Sequence, residues 1–406
     1  MRRIDTGSFV RATRSTSRDI NRRIILNLVR EHEPISRADI ARRMGIGRGM
    51  VTSLVSELLT DGSIYTGATE IAPRGRRPEM LYVGAHDRLV VAVDVRLSRT
   101  YLMLTDFSGT EIAVDSMPTR SRPEQLASDL GRRIKRMLEA SGKSKVCEGI
   151  GLVVPGMIDR ASGRVLNSPQ LGWRDVNIRD LLSEETGLPV QIENAPIACA
   201  LARMWSGSRD HTAPQNFVYL TVSDGVGTAI VVSGEVIRGA GGTAGEFGHL
   251  PISIDGPECL CGATGCLEAY TSNLATISRY LGQEFSPTRA TALVEESGLS
   301  IEDVVECALN GEPRAMKALG DTAKFLAIGI AGIVNAVNPG TVFVGGEITA
   351  AWSIFAPVIA AELERRALSP MAAGTPVIPE PAGIRPRLLG ATALLTAVRF
   401  AAPIVA

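Results

Sequence analysis

The segment from Gly248 to Tyr270, GHLPISIDGPECLCGATGCLEAY, contains one histidine and three cysteines whose types and spacing suit a metal ion. One imidazole and three thiolates form a borderline-soft, tetrahedral donor set of the kind that zinc prefers. Because four protein ligands leave no open position for water, such an ion would be structural rather than hydrolytic. A disulfide among these cysteines is the alternative, and a reducing compartment disfavours it. We therefore predict a structural zinc site with the ligands His249, Cys259, Cys261 and Cys266.

The other three cysteines, Cys147, Cys199 and Cys307, stand singly on apolar stretches. Six cysteines distributed in this way over 406 residues do not form the disulfide framework of a small secreted protein. The chain also lacks an uninterrupted apolar run of the about 18 residues that a membrane span needs. We expect a cytoplasmic protein without membrane association.

The formal net charge of zero conceals an asymmetry along the chain. Residues 1–83 contain 15 arginines, no lysine and 9 acidic residues, so the remainder of the chain is acidic. Arginine favours planar, bidentate contacts with phosphates and with guanine edges. A basic N-terminal module on an acidic body predicts nucleic-acid binding at one end only.

Residues 18–84 predict a winged helix-turn-helix domain, and residues 1–17 a flexible basic arm in front of it. Of three short helical patterns, the second begins at Ser36 with Asp39 three residues later, which is a capping-box arrangement. The third runs from about Arg48 to Thr60, and two such helices joined by a glycine-containing turn place the later one in the major groove. The strand-like pieces SIYTG and EMLYV then enclose APRGRRPE, an arginine-rich wing that suits a narrow minor groove.

We expect the contacts with a double-stranded DNA operator to come from the start of the second helix, the polar face of the third and the wing. Met50 has a spacing that would also place it in the helical core. An ordinary small helical domain with a solvated arginine loop is the alternative, and the adjacency of the helices and the wing disfavours it. The predicted DNA-binding residues are Ser36, Arg37, Arg48, Met50, Thr52, Ser53, Arg74, Arg76 and Arg77.

From Arg88 onward the pattern changes to alternating strands, and a meander, a helix and a further strand recur in both halves. This repeat predicts two similar lobes, each a mixed sheet with helices, and a cleft between them. Five stretches resemble the successive motifs of the ROK family (repressor, open reading frame, kinase): VVPGMIDRASGRVLNSPQLGW, IENAPIACAL, SDGVGTAIVVSGEVIRGAGGTAGEFGHL, CLCGATGCLEAY and VNPGTVFVGGEI. The resemblance implies an α/β fold in which residues 88–406 form a two-lobed, actin- and hexokinase-like (ribonuclease H-like) body with its cleft near residue 195.

The resemblance also implies a sugar-binding pocket. Its two carboxylates would accept hydrogen bonds from sugar hydroxyls, while an amide and an imidazole can donate or accept. A vestigial pocket that binds nothing is the alternative, whereas a dinucleotide site at GVGTAI lacks the expected strand-turn-helix context. The implied sugar-binding residues are Gly156, Gln170, Asn194, Gly225, Glu246, His249 and Glu268, with Gln170 the weaker candidate.

Two positions argue against the kinase activity of the family. Its kinases carry Asp-x-Gly-Gly-Thr in the turn that wraps the ATP phosphates, whereas this chain has DVRLSR, with Arg96 and Leu97 in place of the glycines. Ala195 stands where the catalytic aspartate would follow an asparagine, so no general base remains there. Loss of a positioned base typically lowers the rate about a hundred- to ten-thousandfold.

The sequence thus predicts a repressor of carbohydrate uptake or catabolism genes that is not an enzyme. It would act as a homodimer or homotetramer on a pseudo-palindromic operator, and a sugar or sugar derivative would change its operator affinity. An ATP-dependent sugar kinase and a regulator controlled by a docked protein partner are the alternatives.

Overall fold

The computed structural model describes residues 13–67, 79–84, 88–142, 146–206, 214–381 and 383–401. The chain forms an N-terminal helical domain followed by two lobes. The N-terminal domain contains α1 (Arg14–His32), β1 (Ile35–Ser36), α2 (Arg37–Met44), α3 (Arg48–Thr60), β2 (Ile64–Gly67) and β3 (Met80–Val83), with the strands in the order β1-β3-β2.

The N-terminal domain has the predicted winged helix-turn-helix arrangement, with one difference at its N-terminal edge. Helix α1 begins inside the predicted arm, because Thr13 and Thr16 form a reciprocal capping box at its start. Ser36 caps α2 by accepting a hydrogen bond from the amide of Asp39. Strands β2 and β3 pair antiparallel as the stem of the wing, whereas its predicted contacts Arg74, Arg76 and Arg77 lie outside the described residues.

The first lobe is built around a five-stranded sheet in the order β11-β7-β4-β5-β6 and a smaller sheet in the order β10-β9-β8. Its elements are β4 (Arg88–Val95), β5 (Arg99–Asp106), β6 (Glu111–Pro118), α4 (Pro123–Ala140), β7 (Val146–Val153), β8 (Met157–Asp159), β9 (Arg164–Ser168), β10 (Trp173–Val176), α5 (Ile178–Thr186), β11 (Val190–Glu193) and α6 (Ala195–Ser206).

The second lobe is built around a five-stranded sheet in the order β14-β13-β12-β15-β16. Its elements are β12 (Phe217–Val222), β13 (Val226–Val232), β14 (Glu235–Ile237), α7 (Leu267–Thr271), α8 (Asn273–Tyr280), α9 (Pro287–Ser297), α10 (Ile301–Leu309), α11 (Pro313–Val337), β15 (Thr341–Gly345), α12 (Trp352–Arg366), α13 (Pro370–Ala373) and β16 (Val377–Pro379). The C-terminal helix α14 (Pro386–Phe400) returns to the first lobe and packs on β4 and β7.

The two large sheets have the same topology, which confirms the predicted pair of similar lobes. In each, three strands form an antiparallel meander and two further strands join it in parallel, β7 and β11 in the first lobe and β15 and β16 in the second. The expected alternation is wrong for β4, which is buried at every position from Leu89 to Val95. The reason is that helices cover both faces of this sheet.

Helix α6 lies between the lobes and touches both. Ile197 and Cys199 pack with Phe217 of the second sheet, whereas Ala198 packs with α14 and the first sheet. A side chain at Gly390 of α14 would collide with the backbone of Ala198, so the two helices meet backbone to backbone. The pair therefore forms the floor between the lobes.

Among the described residues, one helix, α11, is long and apolar enough to cross a membrane. Its buried side chains, including Leu319, Leu326 and Ile330, lie in the hydrophobic core of the second lobe with α10 and α12. The helix therefore has the position of a core helix.

Candidate functional site

A cavity of about 320 Å³ opens between the two lobes. The loops after β7 and β9 form one wall, the start of α6 forms the floor, and the β12–β13 turn and the segment leading into α7 form the other wall. All seven residues implied as sugar contacts line this one cavity, namely Gly156, Gln170, Asn194, Gly225, Glu246, His249 and Glu268. The structure thus brings the whole predicted set together, and sugar contact by each remains a prediction.

Two glycines bring backbone to the cavity surface. Gly156 has φ 108°, and a side chain there would collide with the backbone of Asn167. At Gly225 a Cβ would collide with the side-chain amide of Gln170 and would lie 2.8 Å from Oε2 of Glu268. Larger residues at these positions would displace the polar groups that the cavity presents.

Glu268 and Asn194 are held in place by backbone amides. Glu268 is only 7% exposed, and its Oε2 accepts a hydrogen bond from the N–H of Val226 at 2.8 Å. Asn194 Oδ1 accepts from the N–H of Ile197 at 3.1 Å and so caps α6. Because the Asn194 oxygen is engaged, the NH₂ group is the part of this side chain that can donate into the cavity.

The two ring nitrogens of His249 face different groups. Nε2 lies 3.8 Å from Oε2 of Glu246, and Nδ1 lies 3.8 Å from Sγ of Cys259. Burial raises the pKa of Glu246, and the nearby carboxylate of Glu268 adds to that increase, against the opposing effect of His249. The imidazole therefore connects the cavity to the cysteine cluster.

The predicted metal ligands lie together. One donor atom from each of His249, Cys259, Cys261 and Cys266 can be chosen so that all four lie within 4.8 Å of one another. Cys259 and Cys266 are buried and Cys261 is exposed. The Sγ atoms of Cys261 and Cys266 are 3.8 Å apart, beyond the about 2.05 Å of a disulfide, and all six cysteines are free. The donor set is one that could hold a metal ion.

The loop that carries these cysteines folds back on itself. Isolated bridges pair Pro251 with Cys266 and Glu258 with Thr264. Gly265 has φ 70°, and a side chain there would collide with the backbone carbonyl of Ser253. The close spacing of Cys261 and Cys266 therefore depends on this glycine.

The cavity end beside Ala195 carries charged side chains, which lie with the glycine-containing turn at residues 224–227. Arg96 Nε donates to Asp94 Oδ2 at 2.8 Å and its Nη1 donates to Glu347 Oε1 at 3.0 Å. Arg387 Nη1 lies 3.8 Å from the other oxygen of Asp94. Asp224 also lines this end, and burial raises its pKa. This arrangement fills the place where the phosphate loop of a kinase would be expected.

The sequence patterns did not identify four residues of this region. Ser168, Asp224 and Arg387 line the cavity, and Glu347 accepts the hydrogen bond from Arg96. Ser168 is fully buried, and its Oγ has no hydrogen-bond partner among the described residues although the residue lines the cavity. Ser168, Asp224 and Glu347 fall inside quoted motifs, in SPQLGW, SDGVG and VGGEI, and could have been found there. Arg387 belongs to no quoted motif, and only the position of α14 reveals it.

The outer face of α3 carries four of the predicted DNA-binding residues. Arg48, Met50, Thr52 and Ser53 are all exposed. Met50 is 49% exposed and therefore does not belong to the core, contrary to one of its two expected positions. Ser53 Oγ accepts from Arg18 Nη2 at 2.9 Å, which draws a further cation from α1 to this face.

The two predicted contacts at the start of α2 are placed differently. Arg37 Nη1 donates to Glu79 Oε2 at 2.6 Å, next to the stem of the wing. Ser36 is only 6% exposed, and its hydroxyl donates to Asp39 Oδ2 at 2.6 Å. Its side chain therefore serves the helix cap, which leaves it poorly placed to reach DNA.

Comparison with known proteins agrees with this architecture. The sequence pattern of the ROK family matches residues 90–398, and that of a winged helix-turn-helix DNA-binding domain matches residues 18–64. The xylose repressor of Bacillus subtilis strain 168 is 26% identical over 93% of this chain and 94% of its own length. The glucokinase of Halalkalibacterium halodurans is 31% identical over 71% of this chain and 89% of that protein.

Among solved structures, a ROK family transcriptional regulator described as a homologue of the Escherichia coli MLC protein superimposes with a TM-score of 0.78. The alignment covers 95% of this chain and 97% of that chain at 25% identity. A winged helix-turn-helix in front of a two-lobed, actin- and hexokinase-like body defines a DNA-binding transcriptional regulator built on a sugar-kinase fold. This chain belongs to the ROK family.

Proposed function

We propose that this chain is a sugar-responsive repressor of carbohydrate uptake or catabolism genes. The observation that carries the proposal is the cavity, in which seven predicted sugar contacts converge while Ala195 occupies the position of the missing base. The winged helix-turn-helix domain, which precedes the body in the sequence, would bind the operator. The name of the B. subtilis relative makes D-xylose the first sugar to test.

The same cavity supports a regulator without kinase activity. Ala195 has no ionisable group to take the proton of a sugar hydroxyl. Arg96 is tied to Asp94 and Glu347 where backbone amides would have to wrap the phosphates. We expect the purified protein, with D-xylose or D-glucose, to consume ATP no faster than the solution without protein.

We further propose that the effector is uncharged at the end that faces Ala195. The guanidinium groups of Arg96 and Arg387 already lie against the carboxylates of Asp94 and Glu347. Among the described residues that line this end, both guanidinium groups are already paired, so a phosphate entering it would meet the carboxylate of Asp224 without an unpaired cation to offset the repulsion. A hydroxyl suits this end better, so a free sugar should bind more tightly than its terminal phosphate ester.

We propose that the cysteine cluster binds a structural zinc ion. Three thiolates and one imidazole whose donor atoms lie within 4.8 Å of one another match the tetrahedral coordination of zinc, and because they fill all four positions, none is left for a reactive water. Coordination through Nδ1 of His249 would fix the ring and direct Nε2 towards Glu246. The metal would in this way hold part of the sugar pocket in shape.

The proposed operator contacts are the exposed residues of α3 together with Arg37 and the arginines of the wing. Two copies of the domain related by a two-fold axis would bind a pseudo-palindromic site, so we propose a homodimer or homotetramer in the cytoplasm. Light scattering on the purified full chain gives the oligomeric state directly.

One experiment tests the proposed function as a whole. A thermal-shift screen of free sugars and sugar phosphates, beginning with D-xylose and D-glucose, identifies a ligand, and operator binding is then measured with and without it. We expect a sugar that raises the melting temperature to change operator affinity about 5- to 150-fold. Unchanged operator binding across the whole panel would instead favour control by a protein partner on the body.

A further inference from the structure

Two helices run from the cavity to the DNA-binding domain. Helix α6 begins at Ala195 in the cavity and ends beside the domain at Trp205, about 15 Å further along at 1.5 Å per residue. Helix α14 begins beside Arg387 in the cavity and ends at Phe400, which is buried among core residues of the N-terminal domain. Both helices thus have one end at the cavity and the other at α1.

Arg30 of α1 joins the far ends of these two helices. Its guanidinium carbon lies 4.7 Å from the ring centroid of Trp205 and 4.8 Å from that of Phe400. Its Nη2 donates to the backbone carbonyl of Trp205 at 2.7 Å. A planar guanidinium that stacks on two rings and bonds a carbonyl holds one orientation relative to both helices.

We call the contact of Arg30 with Trp205 and Phe400 the joint. Two neighbours of Arg30 on the same helix add further hydrogen bonds to it. Asn27 Nδ2 donates to the carbonyl of Phe400 at 2.8 Å, and Arg23 Nη1 donates to the carbonyl of Ala401 at 2.5 Å. The carbonyls at a helix C-terminus carry the negative end of the helix dipole, which favours cationic donors. Helix α1 therefore contacts the C-terminal ends of α6 and α14 through three hydrogen-bonding side chains.

The near ends of the helices respond to the arrangement of the lobes. Because α6 packs on the sheet of the second lobe through Ile197 and on α14 through Ala198, a change in the angle between the lobes must move α6 relative to at least one of them. A side chain at Gly390 would collide with the backbone of Ala198, so the two helices are closely packed at this contact. A displacement of one helix is therefore expected to carry the other with it.

The joint itself leaves room for such motion. A cavity of about 320 Å³ lies between the N-terminal domain and the body, lined by Arg30, Phe107, Trp205 and Phe400 among others. A close-packed interface would resist a tilt of α1, whereas a void of this size lets side chains rearrange. The N-terminal domain is therefore held both by the directed contacts of Arg30 and by the buried rings of Phe107 and Phe400, and the cavity lies beside them.

We propose that α6 and α14 transmit the state of the sugar cavity to the winged helix-turn-helix through Arg30. Sugar binding would change the angle between the lobes, the helix pair would follow, and the Arg30 contacts would turn α1 and with it the DNA-binding helix α3. This regulation rests on the proposed function, since it requires a sugar effector. Arg30 lines the cavity beside the N-terminal domain and is not among the lining residues of the sugar cavity, so it is a positioning residue.

The first test uses the full chain with Arg30→Ala, D-xylose or whichever sugar of the panel gives the largest thermal shift, and the protein's own promoter DNA. We expect the sugar dissociation constant to stay within about threefold of the wild-type value, while the wild-type effect of sugar on operator affinity shrinks towards onefold. Arg314→Ala is the matched control, because Arg314 stacks on Tyr280 in the second lobe, away from both sites. A full wild-type sugar effect in Arg30→Ala would overturn the proposal.

The second test needs no DNA. Trp205 lies too far along α6 to touch a sugar, so the emission of the wild type minus that of Trp205→Phe reports the joint alone. We expect sugar to change this difference spectrum in the wild type and in Arg314→Ala, and to leave the corresponding difference unchanged in the Arg30→Ala background. An equal sugar response with and without Trp205 would place the signal at another tryptophan and contradict transmission to the joint.

A protein that does not respond to sugar and a protein that transmits the sugar signal by another route give different results in these tests. If no sugar binds or none changes wild-type operator affinity, the proposed function is wrong. If sugar acts on the wild type and Arg30→Ala responds equally, only the route through α6 and α14 is wrong.

Discussion

Arg96 Nη1 donates a hydrogen bond to Glu347 Oε1 at 3.0 Å and thereby ties the loop after β4 in the first lobe to the turn after β15 in the second. The same guanidinium donates to Asp94, which is fully buried. A side chain of the protein itself thus bridges the lobes at the point where a kinase would bind the phosphates of ATP. The charged side chains at this end of the cleft therefore help to hold the two lobes together.

We expect Arg96→Ala to destabilise the protein by about 3 kcal/mol, because it leaves the buried carboxylate of Asp94 with only the more distant Arg387. Urea or thermal unfolding measures the change. Arg365→Ala, which removes a surface pair with Glu362, should alter stability by less than about 1 kcal/mol. The double variant Asp94→Asn with Arg96→Ala should recover part of the loss, and equal stability of Arg96→Ala and the wild type would refute the role of the bridge.

The Glu347 carboxylate gives this region a pH dependence. Burial alone raises the pKa of Glu347, but the hydrogen bond from Asn273 and the charges of Arg387 and Arg96 outweigh it and hold the pKa below its ordinary value. A lowered folded-state pKa contributes stability above the unfolded pKa of about 4.3 and loses it as the pH falls through the folded pKa. The difference in unfolding free energy between wild type and Glu347→Gln should therefore shrink below about pH 4. A difference that stays constant from pH 7 to pH 3 would contradict this assignment.

Arg48→Ala should weaken operator binding about 5- to 150-fold, the range expected when about 1 to 3 kcal/mol of contact with DNA is lost. Fluorescence anisotropy with the protein's own promoter at fixed salt measures it. Arg365→Ala again serves as the control, since it removes one exposed arginine far from α3. If both variants bind alike, α3 is not the recognition helix.

Loss of the proposed zinc ion should affect both the stability of the protein and its sugar binding. Cys261→Ser should lower the zinc content from about one ion per chain towards zero, lower the melting temperature and weaken sugar binding, because His249 then loses its fixed orientation. Cys307→Ser is the matched control, as that thiol lies outside the cluster. Elemental analysis and thermal shift are the measurements, and a full zinc content in Cys261→Ser would exclude this residue as a ligand.

Glu246→Gln should reduce sugar affinity about 10- to 150-fold, because a hydrogen bond to a charged acceptor contributes about 1.5–3 kcal/mol. The fold should tolerate the change, since Glu246 is about one-third exposed. Calorimetric titration with the sugar from the panel is the measurement, and Glu235→Gln on the exposed strand β14 is the control. Equal affinities in the two variants would remove Glu246 from the site.

Local sequence patterns were sufficient for several elements and for part of each candidate site, but not for Ser168, Asp224, Glu347 or Arg387. The limits of α3 follow from the spacing of its apolar residues, and the cap of α2 follows from Ser36 and Asp39, which lie three residues apart. The candidate metal ligands lie between residues 249 and 266, and the predicted sugar contacts lie in motifs that the family resemblance identifies. These features could be predicted because each depends on neighbours in the chain or on a known pattern.

Other features were decided only by the tertiary structure, because they depend on contacts between distant segments. Met50 fits the helical spacing of the core, yet packing leaves it exposed. Arg96 forms a hydrogen bond with Glu347, which lies 251 positions away in the sequence, and Arg30 forms one with Trp205, which lies 175 positions away. Nothing in the local periodicity of any of these segments specifies its partner. The sequence by itself determined which segments form helices and strands and which side chains they carry. The packing of α6 and α14 between the two lobes decided which of those side chains contact one another.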